Sequence, residues 1–127
     1  MKKSKAWLLP LLIADLRSGP LQGQRRLRRP EGDCCMGRAC DVWSKHTGRG
    51  FWGPPRIVWG RLSIPFILDG QVYDYAPPKE VSAALGMDSY TGGDYDDVNT
   101  YMEDNDRGLT FAEIADCMEQ YYNSLED

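Results

Sequence analysis

Residues 5–17 place Trp7, Leu8, Leu11, Leu12 and Leu16 at helical spacing. That pattern predicts an amphipathic helix in which Pro10 is tolerable only near a first turn or as a kink. Ser18-Gly19-Pro20 stops it, Leu21 to Arg29 reads as an extended basic segment, and Pro30-Glu31-Gly32 as a turn. Asp33 is then the expected N-cap of a second helix running to about Lys45 and closed by Thr47-Gly48. Cys35, Met36, Ala39, Cys40 and Trp43 fall on one side of that helix.

The pattern changes over residues 51–75. Phe51-Trp52, Ile57-Val58-Trp59 and Ile64 to Leu68 are strand-like, and Asp69-Gly70 before Gln71-Val72-Tyr73 is a strong two-residue hairpin signal. Helical spacing returns after Pro77-Pro78, from Lys79 to Leu85 with Gly86 as the closing residue. It appears again over residues 94–106, through Tyr95, Val98, Tyr101 and Met102 in an acidic frame. The last helix opens on a capping box, Thr110 with Glu113, and carries Phe111, Ile114, Ala115, Met118 and Tyr122 as its inner stripe. These elements predict an α+β fold over residues 1–127, one small domain with helices flanking a small antiparallel sheet or hairpin.

Composition adds little until the charges are placed. A chain of 127 residues with 42% hydrophobic residues can bury a core without disulfide staples and is not globally disordered. The charges, however, divide. Residues 1–62 hold thirteen Lys/Arg against four Asp/Glu, a net of +9; residues 63–127 hold two against fifteen, a net of −13. Such asymmetry implies either a charged partner or a fold in which one half neutralises the other. Self-neutralisation is the leading reading, because the basic half contains folded elements and is no loose tail.

The first fourteen residues imitate a secretory signal, but no small-residue cleavage pattern follows at Asp15 to Ser18. The apolar run is also too short to span a bilayer. It is read as a core helix, with no membrane association, and a secreted form is the alternative. The four cysteines then belong to a reducing cytoplasm as thiols.

The residues offer several candidate chemistries. Cys34, Cys35, Cys40 and His46 are weak metal candidates, because their gaps fit no standard zinc spacing and Cys35 and Cys40 suit an apolar helix face. No cofactor is expected. Arg25, Arg26, Arg28 and Arg29 form a basic cluster able to contact phosphates, yet the acidic whole-chain balance, net −4, disfavours nucleic acid. Two helix-turn-helix-like segments fail, the first on acidic residues where a recognition helix would sit and the second for want of room. The Asp104-Asn105-Asp106-Arg107-Gly108 stretch misses the calcium-loop spacing. No hydrolase set or phosphate loop can be placed. The chain is therefore read as no enzyme.

Leu16-Arg17-Ser18-Gly19, Gln22-Gly23-Gln24, Asp33-Cys34-Cys35-Met36-Gly37, Cys40-Asp41, Ala84-Leu85-Gly86 and the run Asn105 to Asp116 with its Phe-Ala-Glu-Ile-Ala core occur in that order. They resemble a family of small uncharacterised tailed-phage accessory proteins. The resemblance implies a phage protein acting in the host cytoplasm and supplies no reaction and no ligand. Arg38 and Ala39 stand where that family is usually aliphatic, and Cys117 is a further departure. The expected function is binding of a host or phage protein, in host takeover or against a defence system. Its charged surface candidates are Arg25, Arg26, Arg28, Arg29, Asp94, Asp96, Asp97 and Tyr101, the acidic stretch imitating nucleic-acid phosphates. The alternatives are a structural virion component and a zinc-stabilised or nucleic-acid-binding protein. The sequence does not set the oligomeric state.

Overall fold

A computed structural model describes residues 2–87 and 96–127. Among the described residues five α-helices and seven short strands follow one another: α1 Leu8–Arg17, β1 Arg28–Arg29, β2 Gly32–Asp33, α2 Cys35–Thr47, β3 Phe51–Trp52, β4 Arg56–Val58, β5 Arg61–Ser63, β6 Phe66–Leu68, β7 Gln71–Tyr73, α3 Lys79–Ala84, α4 Val98–Asp106 and α5 Phe111–Ser124. A 3₁₀ turn, Lys3–Ala6, leads into α1. The architecture is α+β, as the periodicity predicts. The strands form three small antiparallel groups: hairpin β1–β2, hairpin β4–β5, and a three-stranded sheet ordered β3–β6–β7.

The helices follow their local signals. Pro10 is the third residue of α1, where its missing N–H would have no helical acceptor anyway. Leu8, Leu9, Leu12, Ile13 and Leu16 are buried along that helix, which packs against both α2 and α5. The capping box of α5 is complete: the Glu113 N–H donates to Thr110 Oγ1 at 3.2 Å, and the Thr110 N–H donates to Glu113 Oε1 at 3.0 Å. Phe111, Ile114, Ala115 and Met118 are buried beneath it. Gly48 closes α2 in the left-handed conformation at φ 70°.

Asp33 is not the N-cap of α2. Its carboxylate is drawn away by Arg28 and Arg38, and the cap passes to Cys34, whose Sγ accepts from the Gly37 N–H at 3.4 Å. Helix α4 begins at Val98 with Asp97 as its cap, so the predicted start at residue 94 lies outside the described residues. Trp59, expected to end a strand, leaves β4 and occupies the turn before β5.

Two crossings tie the elements into one core. Helix α2 lies so close to the segment before β1 that a Cβ on Gly37 would stand 1.9 Å from the Leu27 carbonyl oxygen. Asn105, fully buried in α4, donates through Nδ2 to the Gly23 carbonyl at 2.8 Å. Its Oδ1 accepts from the Cys35 N–H at 3.2 Å and from Gln22 Nε2 at 2.9 Å. Gln22 in turn accepts the Phe111 N–H at 3.1 Å and donates to the Leu109 carbonyl at 2.8 Å. One amide pair thus joins the starts of α2 and α5 to the end of α4. The two ends of the chain also meet, through a parallel bridge between Lys2 and Glu126 and an ion pair of Lys3 with Asp127 at 2.9 Å.

Candidate functional site

The Arg25–Arg29 cluster is not a surface patch. Arg25 adopts φ 69°, which breaks the extended run and turns the next residue inward. Arg26 is only 4% exposed, stacked 4.2 Å over the Tyr75 ring, and donates to the carbonyls of Arg25 at 2.7 Å and Val58 at 2.5 Å. Arg28 lies 3.9 Å over the Trp52 ring and holds Asp33 by two hydrogen bonds of 2.7 and 2.9 Å. Arg29 pairs with Glu31 at 3.1 Å. Three of the four arginines are therefore committed to the fold, and Arg25 alone keeps an exposed side chain.

Arg28 belongs to a wider ionic group. Arg38 reaches Asp15 at 2.7 Å, Asp33 at 3.2 Å and Asp41 at 3.4 Å, while Lys45 reaches Asp41 at 2.8 Å. Burial pushes Asp41 up, but Lys45, the Trp52 indole N–H and Arg38 together hold it below the usual carboxylate range. All these partners come from the basic half. Of the pairs that cross between halves, Arg17 with Asp116 and Glu119 and Arg49 with Asp69 are more exposed, whereas Arg56 reaches the buried Asp74. The charge division is thus neutralised in part across the halves, and its least exposed cluster lies within one of them.

The cysteines and histidine do not converge. Burial raises the Cys34 thiol to about 12, and burial likewise lifts Cys35 and Cys40 well above the ordinary thiol value. The Cys35 thiol donates to the Tyr101 carbonyl at 3.6 Å. His46 sits exposed at the far end of α2, roughly 16 Å along the axis from Cys35 at 1.5 Å per residue, with its ring 6.2 Å from Trp7. Among the described residues no group of three or more His, Cys, Asp or Glu is placed to hold a metal ion. The thiols fill the core.

The acidic candidates divide as well. Asp97 is fully buried and caps α4, its Oδ1 accepting from the Asn99 N–H at 2.7 Å. Tyr101 is a fully buried core residue, and among the described candidates of this stretch only Asp96 is exposed. Asp94 lies outside the described residues. The basic and acidic stretches do meet at one cavity of about 200 Å³, where Arg25, Arg26 and Tyr75 face Asn99, Met102, Glu103 and Asp106 of α4. Two cations there oppose two carboxylates, and Asp106 already accepts the Arg25 N–H at 2.7 Å.

A different surface has no such closure. In the sheet β3–β6–β7, Trp52, Phe66 and Tyr73 stand in cross-strand register and face the core, with the Trp52 and Phe66 rings 5.2 Å apart. The alternate row, Phe51, Ile67 and Val72, points outward, and Phe51 is 61% exposed. Hairpin β4–β5 adds Ile57, 68% exposed, and Trp59, 88% exposed at its tip. Apolar side chains on both faces of a short sheet are what a half-covered surface looks like. The sequence signal for the tip was Gly60, which makes Trp59-Gly60 a two-residue loop like Asp69-Gly70.

Fold and surface define a small α+β domain with an ionic and amide-stitched interior and an uncovered apolar β face. The chain belongs to the family described as domain of unknown function DUF8296, which it matches over residues 7–122. No curated protein and no solved structure matches it. Among the described residues no helix is long and apolar enough to cross a membrane.

Proposed function

We propose that the chain is a non-enzymatic protein that works by binding another protein through the outer face of residues 51–75. The observation that carries this reading is the cross-strand row Phe51–Ile67–Val72, its outer members exposed and Ile67 half-buried between them, backed by a sheet whose other face is already buried. Large apolar side chains held in register cost solvation in the free chain and become favourable once covered. The buried, protonated thiols and the spent arginines favour neither nucleophilic chemistry nor phosphate binding. In the setting implied by the likeness to tailed-phage accessory proteins, the partner is a host or phage protein met inside the host cell.

Affinity capture from infected cells at low salt, comparing the natural chain with a Phe51→Ser, Val72→Ser variant, tests the reading. A partner retained by the first and lost by the second supports it; recovery of no protein partner by either overturns it. Stoichiometric presence in purified particles would instead favour the virion component.

A further inference from the structure

We propose that Trp59 is an anchor with which hairpin β4–β5 enters an apolar, acid-rimmed pocket of a partner protein. This rests on the interaction reading above and names the partner's chemistry.

The turn is built against the preference of its own residue. Trp59 at φ 52° and Gly60 at φ 74° are both left-handed, as a primed two-residue hairpin loop requires. Asn, Asp or Gly occupies the first of these positions readily, as Asp69 does in the β6–β7 loop at φ 51°. A bulky aromatic residue adopts it at a cost of roughly 1–2 kcal/mol. The indole, 88% exposed, buries little area to offset that cost. Strain combined with an exposed ring is a signature of a side chain placed for contact.

The rest of the hairpin holds the backbone of that turn steady. The Val58 carbonyl takes a hydrogen bond from the buried Arg26 guanidinium at 2.5 Å. Arg56 pairs with Asp74, Ser63 Oγ donates to the same carboxylate at 2.6 Å, and the Asp74 carbonyl accepts the Leu27 N–H at 2.8 Å. Both strands are thus fixed to the body of the domain, which lowers the ordering cost of binding.

Charge sets the partner. Lys45, Arg49 and Arg56 pair with Asp41, Asp69 and Asp74, while Arg61 lies exposed on β5 directly after the tip. The tip is thus an apolar surface with one flanking cation, and an acidic group at the edge of a partner's pocket would meet Arg61. Exposed Ile57 on β4 adds aliphatic area that a phosphate backbone has no use for. A protein with an apolar pocket edged by Asp or Glu fits this better than a nucleic acid.

The test is a random-peptide display library panned on the full chain, with binding of the selected peptides measured against Trp59→Asn and Trp59→Gly. Both substitutions suit the left-handed turn, so the variants should unfold at or above the natural midpoint. Selected peptides should combine aromatic or aliphatic residues with Asp/Glu, lose about 30-fold or more in affinity for either variant, and weaken with Arg61→Glu. Equal binding by the Trp59 variants, no enrichment, or enrichment of uncharged or basic peptides overturns the proposal. Trp59-dependent binding of a single-stranded oligonucleotide overturns it in favour of nucleic acid. If Phe51→Ser, Val72→Ser abolishes peptide binding while Trp59→Asn leaves it intact, the anchor fails and the wider interaction reading stands.

Discussion

Arg38 grips Asp15 through two parallel hydrogen bonds, Nε to Oδ2 at 2.8 Å and Nη2 to Oδ1 at 2.7 Å, and so locks α2 onto α1. The hydrogen bonds to Asp15 push the guanidinium further up from an already high value, so Arg38 stays charged at any working pH. Replacing Arg38 by Met leaves Asp15 without its bidentate partner and removes one cation from Asp33 and Asp41. The expected cost is about 2–4 kcal/mol in denaturant unfolding. Arg38→Met combined with Asp15→Leu should recover part of that loss, because the orphaned carboxylate is then gone.

Asn105 offers a sharper test of the interior. Asn105→Leu keeps the volume but leaves the Cys35 N–H and the Gly23 carbonyl without their partner. We expect a loss of about 2–4 kcal/mol, read by urea unfolding, and faster amide exchange at Cys35. A change below about half a kcal/mol would mean that water replaces the amide without cost.

Thiol reactivity separates the four cysteines. Under native conditions at pH 8, half-buried Cys117 should react first with a disulfide reagent, and Cys34, Cys35 and Cys40 only on unfolding. Their folded values lie above that of a free thiol, near 8.5, so the stability they confer is complete below that pH. It is lost as pH rises from there toward about 12, where Cys34 ionises. Alkaline titration of the unfolding midpoint checks this, and three serines in their place should flatten that limb.

Acid acts through Asp74. Burial pushes this carboxyl up, but hydrogen bonds from Arg56 and Ser63 outweigh it and hold the group below its ordinary 3.8. A depressed carboxylate contributes stability above its unfolded value and loses it as pH falls through the folded one. The melting temperature should therefore not vary with pH through Asp74 near neutrality, and should fall below about pH 4. Asp74→Asn should start lower and show a shallower acid limb.

Helices were legible in the chain because their signals are local. The Thr110–Glu113 box, the Leu8 to Leu16 stripe and Gly48 each act within one or two turns. The Asp69-Gly70 turn was equally plain. Asp33 misled, since a side chain fit to cap α2 was claimed by Arg28 and Arg38, one of them across a hairpin. The arginine run misled for a related reason. Its fate depended on Tyr75, Trp52 and the Val58 carbonyl, which local spacing does not reveal. Asp97 and Tyr101 looked like surface because acidic neighbours surround them, yet one caps a helix and the other fills the core. The apolar face was hidden because Phe51, Ile67 and Val72 become neighbours only through strand register.

The pairing of Lys2 with Glu126 sets the segment leading into α1 against the segment leaving α5. Joining those positions by a short linker and opening the chain elsewhere changes the order of synthesis and little of the packing. A permutant cut at Gly60 would keep the helical body while dividing the tip of the β4–β5 hairpin. Folding and recognition would then be severed on a single polypeptide of unchanged composition.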